Sequence, residues 1–181
     1  GYWSRGLGDV YKRQLVHQAI NQYNSYISSN NITSFNGKRE ARKLFPLCKP
    51  STEGNQDLPD DGYVDGARTN YAMIKMEEAA NSGKPFFLAV GYTKPHLPFV
   101  APKKYWDLYE NTDIQLADNR YAPKNAPKES LHQYNELRKY YQIPSQKFTT
   151  IPDSTQRKLI HGYYACISYV DALVGPVSYT H

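Results

Sequence analysis

Near the middle of the chain, Phe86-Phe87-Leu88-Ala89-Val90-Gly91-Tyr92 forms an uninterrupted apolar run bounded by Lys84-Pro85 on one side and a proline-rich loop on the other. A run this short, without alternation and flanked by breakers, predicts a strand buried on both faces. Just before it, Val64, Ala67, Tyr71 and Ile74 recur at spacings of 3, 4 and 3, which predicts a helix with one apolar stripe. Asp60 and Asp61 precede that helix, where carboxylates complement the positive end of the helix dipole. Asn81-Ser82-Gly83 supplies the stop, glycine being the residue a helix end favours. Helix, tight turn and buried strand in this order point to an α/β fold. If the strand lacks neighbours in this chain, residues 86–92 should show an exposed apolar surface.

The rest of the chain is read around that unit. A polar, Asn/Ser-rich stretch holds a plausible helix at His17–Ile27 and a glycosylation triplet, Asn31-Ile32-Thr33. Pro46, Pro50, Gly54, Pro59 and Gly62 mark a long loop over 45–62. A short helix is expected at Lys103–Tyr109, an excursion rich in Pro, Asn and Asp over 111–127, and another helix at Ser130–Tyr141. The last helix opens at Pro152-Asp153, with Asp153 and Gln156 at capping-box spacing, and Leu159, Ile160, Tyr163, Ile167, Val170 and Val174 as its expected buried face. Residues 1–14 have no clear period, and they and residues 176–181 resemble translated sequencing-adaptor tails, ordinary flexible termini being the alternative. One domain over 15–175, incomplete at both ends, is the expected organisation.

Composition limits function only loosely. The formal charge of +5 comes from scattered pairs such as Lys38-Arg39 and Lys103-Lys104, so a solvated surface explains it better than a nucleic-acid footprint. A mildly basic surface would also draw in an anionic substrate. The 17 tyrosines suit half-buried surfaces and sugar-facing clefts, and ordinary cores too. Cys48 and Cys166 are too few to define a redox compartment. No stretch of 18 apolar residues is present to span a membrane.

The loop after the apolar run, Thr93-Lys94-Pro95-His96-Leu97-Pro98-Phe99, is the candidate site. In open α/β sheets ligands sit beyond the carboxyl ends of strands, and Pro95 and Pro98 would stiffen the backbone on both sides of His96. A His with Lys94 two residues away suits an anion, and the imidazole could protonate a leaving group. A structural His in a Pro-rich turn would look the same.

The string from Lys84 to Phe99, with Ala101-Pro102 and Tyr105 after it, resembles the mid-sequence signature of the sulfatase family, in its iduronate-2-sulfatase-like subgroup. Leu58-Pro-Asp-Asp and Tyr163-Tyr-Ala-Cys-Ile-Ser-Tyr-Val-Asp-Ala-Leu-Val-Gly175 resemble the flanking family segments, so the match covers roughly 44–175. The resemblance implies a sulfatase, alkaline-phosphatase-like α/β sandwich with a central mixed sheet. It implies hydrolysis of a sulfate ester on a sugar or glycan, by a parent in the periplasm, secretory route or lysosome. It further implies a formylglycine nucleophile made from Cys or Ser, a calcium ion held by Asp with Asn or His, and a sulfate contact that maps onto His96, with Lys94 as a second substrate-binding residue.

Departures from the pattern matter as much. Cys48-Lys49-Pro50-Ser51 imitates the start of the nucleophile motif, but Thr52 replaces its Arg and it lies too close to His96, so Cys48 is read as a lookalike. By the resemblance, a Cys here is more like a structural disulfide partner. Cys166, in an apolar helix, is read as a packed thiol. Asp60-Asp61 matches the metal-binding pair in composition only, and His17, His132 and His161 have no ligand-like spacing, so no metal ligand is assigned. The expectation is an inactive piece of a sulfatase. A related phosphohydrolase, or a basic module binding acidic glycans or nucleic acid without catalysis, are the alternatives.

Overall fold

The computed structural model describes residues 51–54, 57–109, 113–132, 135–140, 143–146 and 149–179. The expected helix at 17–27, the Asn31 triplet and Cys48 lie outside them.

Two short strands, β1 (Thr52–Glu53) and β2 (Phe99–Val100), pair in parallel with Thr52 opposite Phe99 and Glu53 opposite Val100. A parallel pair needs a crossover, and helix α1 (Val64–Asn81) lies on it. Helix α2 (Lys103–Trp106) follows β2, and the long helix α3 (Asp153–Tyr179) closes the unit, running on through Pro176. This is the expected α/β character as a small parallel sheet with helices.

The expected strand at Phe86–Tyr92 is not one. Residues 85–93 carry no strand pairing, and Phe86, Phe87 and Leu88 are 48%, 93% and 38% exposed. An apolar run becomes a strand only where neighbouring backbone satisfies its amides, and β2, with β1 beside it, lies beyond the proline-rich loop instead. The exposed apolar surface expected of an unpartnered run is present at Phe86–Leu88, while Tyr92 packs against the core.

Both long helices form where expected, and both bury a different face. On α1 the buried residues are Asp65, Gly66, Thr69, Ala72 and Met76, while Ile74 is 53% exposed. Asp65 and Thr69 spend their polar atoms on internal partners, which an apolar stripe cannot register. On α3 the buried residues are His161, Gly162, Ala165, Cys166, Tyr169 and Leu173, and the expected Tyr163, Ile167 and Val174 face out. Close approach explains the choice: a Cβ on Gly162 would stand 2.8 Å from Trp106 and 2.9 Å from Phe99. Small residues let α3 lie against β2 and α2; β-branched ones would hold it off.

Of the end signals, one holds and two resolve differently. Gly83 ends α1 with φ of +64°, as its position predicts. Asp60 and Asp61 instead occupy a 3₁₀ turn (Asp60–Gly62), and no side chain caps α1 at Tyr63. Asp60 accepts from the Tyr105 hydroxyl and Lys104 Nζ, each at 2.7 Å, and Asp61 from Asn70 at 3.0 Å. The Asp153–Gln156 box does not close, because Asp153 pairs with Arg120 and Gln156 donates to the Ile151 carbonyl. The expected helix at 130–141 is replaced by 3₁₀ turns at Lys128–Ser130 and Leu137–Lys139. There the buried Arg138 guanidinium gathers the Pro144 and Thr149 carbonyls, which organises a loop rather than a helix.

The core comprises Tyr63, Val100, Ala101, Tyr105, Trp106, Ala165, Cys166, Tyr169 and Leu173. Burial pushes the Tyr140 hydroxyl up to about 12, with the Glu136 charge adding to it. Burial is also the main cause that raises Tyr63, helped by Glu53, and Tyr169. Raised folded values make these groups stabilising below the unfolded value of about 10, a contribution lost as pH rises above it. A spectrophotometric titration should therefore show the buried tyrosines ionising in a separate cooperative step as the fold opens. One smooth transition for all tyrosines would contradict this core.

Candidate active-site loop

The loop between Tyr92 and β2 is held by three side chains of α1. Asp65, Arg68 and Thr69 stand at i, i+3 and i+4 on α1, hence on one helix face. The Asp65 carboxylate, with a side chain 2% exposed, accepts the Thr93 amide on both oxygens at 3.0 Å and the Lys94 amide at 2.8 Å. Arg68 Nη1 donates to Asp65 Oδ1 at 2.7 Å and to Thr93 Oγ1 at 2.6 Å. Thr69 Oγ1 donates to the Tyr92 hydroxyl, which donates on to the Leu173 carbonyl of α3.

Within the loop, the His96 amide donates to the Thr93 carbonyl at 2.9 Å, closing a four-residue turn. The Lys94–Pro95 and Leu97–Pro98 peptides are cis. Lys94 sends its ammonium back along its own loop, donating to the His96 carbonyl at 2.8 Å and the Pro98 carbonyl at 2.6 Å. Burial lowers its pKa from the usual lysine value, opposed by the charge of Asp65. The structure thus joins Lys94 to the backbone of His96, while the imidazole points outward.

The His96 side chain is 61% exposed. Its Nδ1 lies 2.7 Å from the Leu97 carbonyl, an acceptor only, so Nδ1 carries a proton in that contact. Nε2 is then the outward atom: a lone pair on the neutral ring, an N–H donor on the imidazolium. Glu136 Oε2 stands 3.6 Å from it, an ion pair when the ring is charged.

Elsewhere the candidates take structural places. Cys166 is buried, its thiol pushed up to about 12 by burial and 3.5 Å from the Val100 carbonyl, as a packed thiol should be. His161 Nε2 lies 2.7 Å from the Trp106 carbonyl inside the core. Among the described residues no group of three or more His, Cys, Asp or Glu could hold a metal ion, so no metal-dependent step is derived from them. Nor, among them, is any helix long and apolar enough to cross a membrane. The residues that inspection of the sequence missed are Asp65, Arg68, Thr69 and Glu136. The first three left a signal, a polar i, i+3, i+4 set in the helix preceding the loop.

The chain is 32% identical over 156 residues to iduronate 2-sulfatase of Mus musculus, covering 84% of the chain and 27% of that protein. It is 35% identical over 123 residues to iduronate 2-sulfatase of Homo sapiens, covering 66% of the chain and 22% of the relative. A choline-sulfatase of Rhizobium meliloti is 30% identical over 121 residues, 67% of this chain and 22% of that one. The chain therefore spans about a quarter of the length of these relatives. The family model for sulfatases matches residues 3–178, nearly the whole sequence, and the chain belongs to the sulfatase family.

Proposed function

We propose that this chain is a segment of a sulfuric ester hydrolase acting on a sulfated sugar or glycan, and that His96 serves the leaving-group side of the reaction. The observation that carries the reading is the outward Nε2 of His96, on a ring whose Nδ1 is committed to the Leu97 carbonyl. As the nucleophile bonds to sulfur and the bond from sulfur to the sugar oxygen breaks, that oxygen takes the Nε2 proton of the imidazolium and leaves as an alcohol, and the ring becomes neutral. Lys94 adds positive charge next to it; two of its three donors are engaged by carbonyls, so one remains for a sulfate oxygen. In the whole enzyme this unit would be one part of a larger α/β sandwich with a central mixed sheet. A formylglycine nucleophile and calcium, if used, would come from residues other than those described. The isolated chain is accordingly expected to be inactive.

A phosphohydrolase is the second reading. It is favoured by 29% identity over 100 residues to the multifunctional alkaline phosphatase superfamily protein PehA of Trinickia caryophylli. Both readings are tested by assaying the full-length protein and the 181-residue chain on 4-nitrophenyl sulfate, a 2-O-sulfated uronic acid disaccharide and 4-nitrophenyl phosphate. Sulfate release by the full-length protein and none by the chain is expected. Turnover of the phosphate ester alone would replace the sulfatase reading, and turnover by the chain itself would refute its incompleteness.

A further inference from the structure

We propose that Asp65 is a positioning residue for His96: its buried carboxylate on α1 fixes the turn that presents the imidazole to the ester. The inference rests on the functional reading above and extends it to a residue outside the loop.

A buried carboxylate is costly unless its lone pairs are filled. Asp65 fills them with the consecutive amides of Thr93 and Lys94 and with Arg68. Two adjacent amides aimed at one carboxylate fix two successive peptide planes. The hydrogen bond from the His96 amide to the Thr93 carbonyl then closes the turn onto those planes, and Lys94 Nζ ties the far side to the Pro98 carbonyl. Residues 93–96 thus form a small rigid body, and the Asp65 carboxylate joins its two leading amides to α1. Arg68 and Thr69 hold the neighbouring side chains of Thr93 and Tyr92, without touching those amides. If the carboxylate is altered, the imidazole shifts with the whole turn. A displacement of about 1 Å at a reacting group can cost on the order of 100-fold in rate.

The test uses the full-length protein and phenyl sulfate, whose leaving group needs protonation more than nitrophenol does. Asp65→Asn keeps the shape but places an amide N–H₂ against a backbone N–H. The expected result is a fall in kcat of about 10- to 100-fold with KM within about threefold, the signature of an interaction made only in the transition state. In a His96→Ala background the same substitution should cost less than about threefold, because a mispositioned residue already removed cannot be mispositioned again. An equal loss in both backgrounds would overturn the proposal and leave Asp65 a general support of the fold. If His96→Ala alone costs nothing, the functional reading fails instead, and this inference fails with it. Should Asp65→Asn not give soluble protein, Arg68→Ala poses the same question at a side chain 32% exposed. Its smaller loss, about fivefold, should likewise vanish beside His96→Ala, and persistence there would overturn the proposal.

Discussion

Replacing His96 by alanine in the full-length protein should lower kcat on a sugar sulfate by about 10²- to 10⁴-fold, the range of general acid catalysis. The size of the effect follows from the leaving group. A sugar alkoxide is a poor leaving group, and proton donation from Nε2 removes most of its charge as the S–O bond breaks. Nitrophenolate carries its charge well, so 4-nitrophenyl sulfate should lose far less in the same variant. Nδ1 is held by the Leu97 carbonyl, so on the proposed reading the donating atom would be the outward Nε2 of the imidazolium. The plain check is the ratio of losses on the two substrates. Equal losses would mean that His96 binds sulfate without protonating the leaving oxygen, and no loss on either would remove it from the site.

Gly66→Ala should produce the largest loss of stability among single-methyl changes here, about 3 kcal/mol or more. A Cβ at this position would sit 1.7 Å from the Asp60 carbonyl oxygen, 2.4 Å from its carbon and 2.8 Å from the Asp61 Cα. These are backbone atoms and cannot rotate aside. Making room means lifting the Asp60–Gly62 turn off the start of α1. That movement would also break the bond from Tyr169 to the Asp60 carbonyl at 2.6 Å and disturb the one from the Gly66 amide to Tyr169 at 2.9 Å. Alanine's helix propensity offsets only about 1 kcal/mol of this. Gly175→Ala is the control, because nothing lies within 4 Å of its would-be Cβ. Urea unfolding of both variants checks the pair, and a Gly66→Ala protein as stable as the control would refute the packing described.

The two long helices were legible because their signals are local. The end of α1 at Ser82-Gly83 and the opening of α3 after Pro152 need only neighbouring residues to be read. Which face each helix buries was not legible, because it depends on partners far along the chain. Asp65 reads as solvent-facing by polarity, yet it is among the most buried residues, since its partners are amides of a loop 28 and 29 residues away. The small face of α3 around Gly162 and Ala165 likewise becomes sensible only once Trp106 and Phe99 stand against it. The apolar run at 86–92 misled for the converse reason: its composition is that of a strand, but the described residues contain no strand beside it. The His96 loop was proposed from its prolines and its place after the apolar run, while its support on α1 left only a faint polar periodicity.

The tie between Tyr169 and the Asp60 carbonyl joins residues 109 positions apart, and Tyr92 reaches across 81 positions to Leu173. This has a consequence for synthesis. At about 5–20 residues per second, the His96 loop leaves the ribosome several seconds before α3 is made. During that interval α1 lacks the helix that anchors its first turn, and the core residues that pack with α3, among them Val100, Tyr105 and Trp106, lack that partner on the nascent chain. The loop is therefore set only after translation has passed α3, and the growing polypeptide is a substrate for chaperones until then.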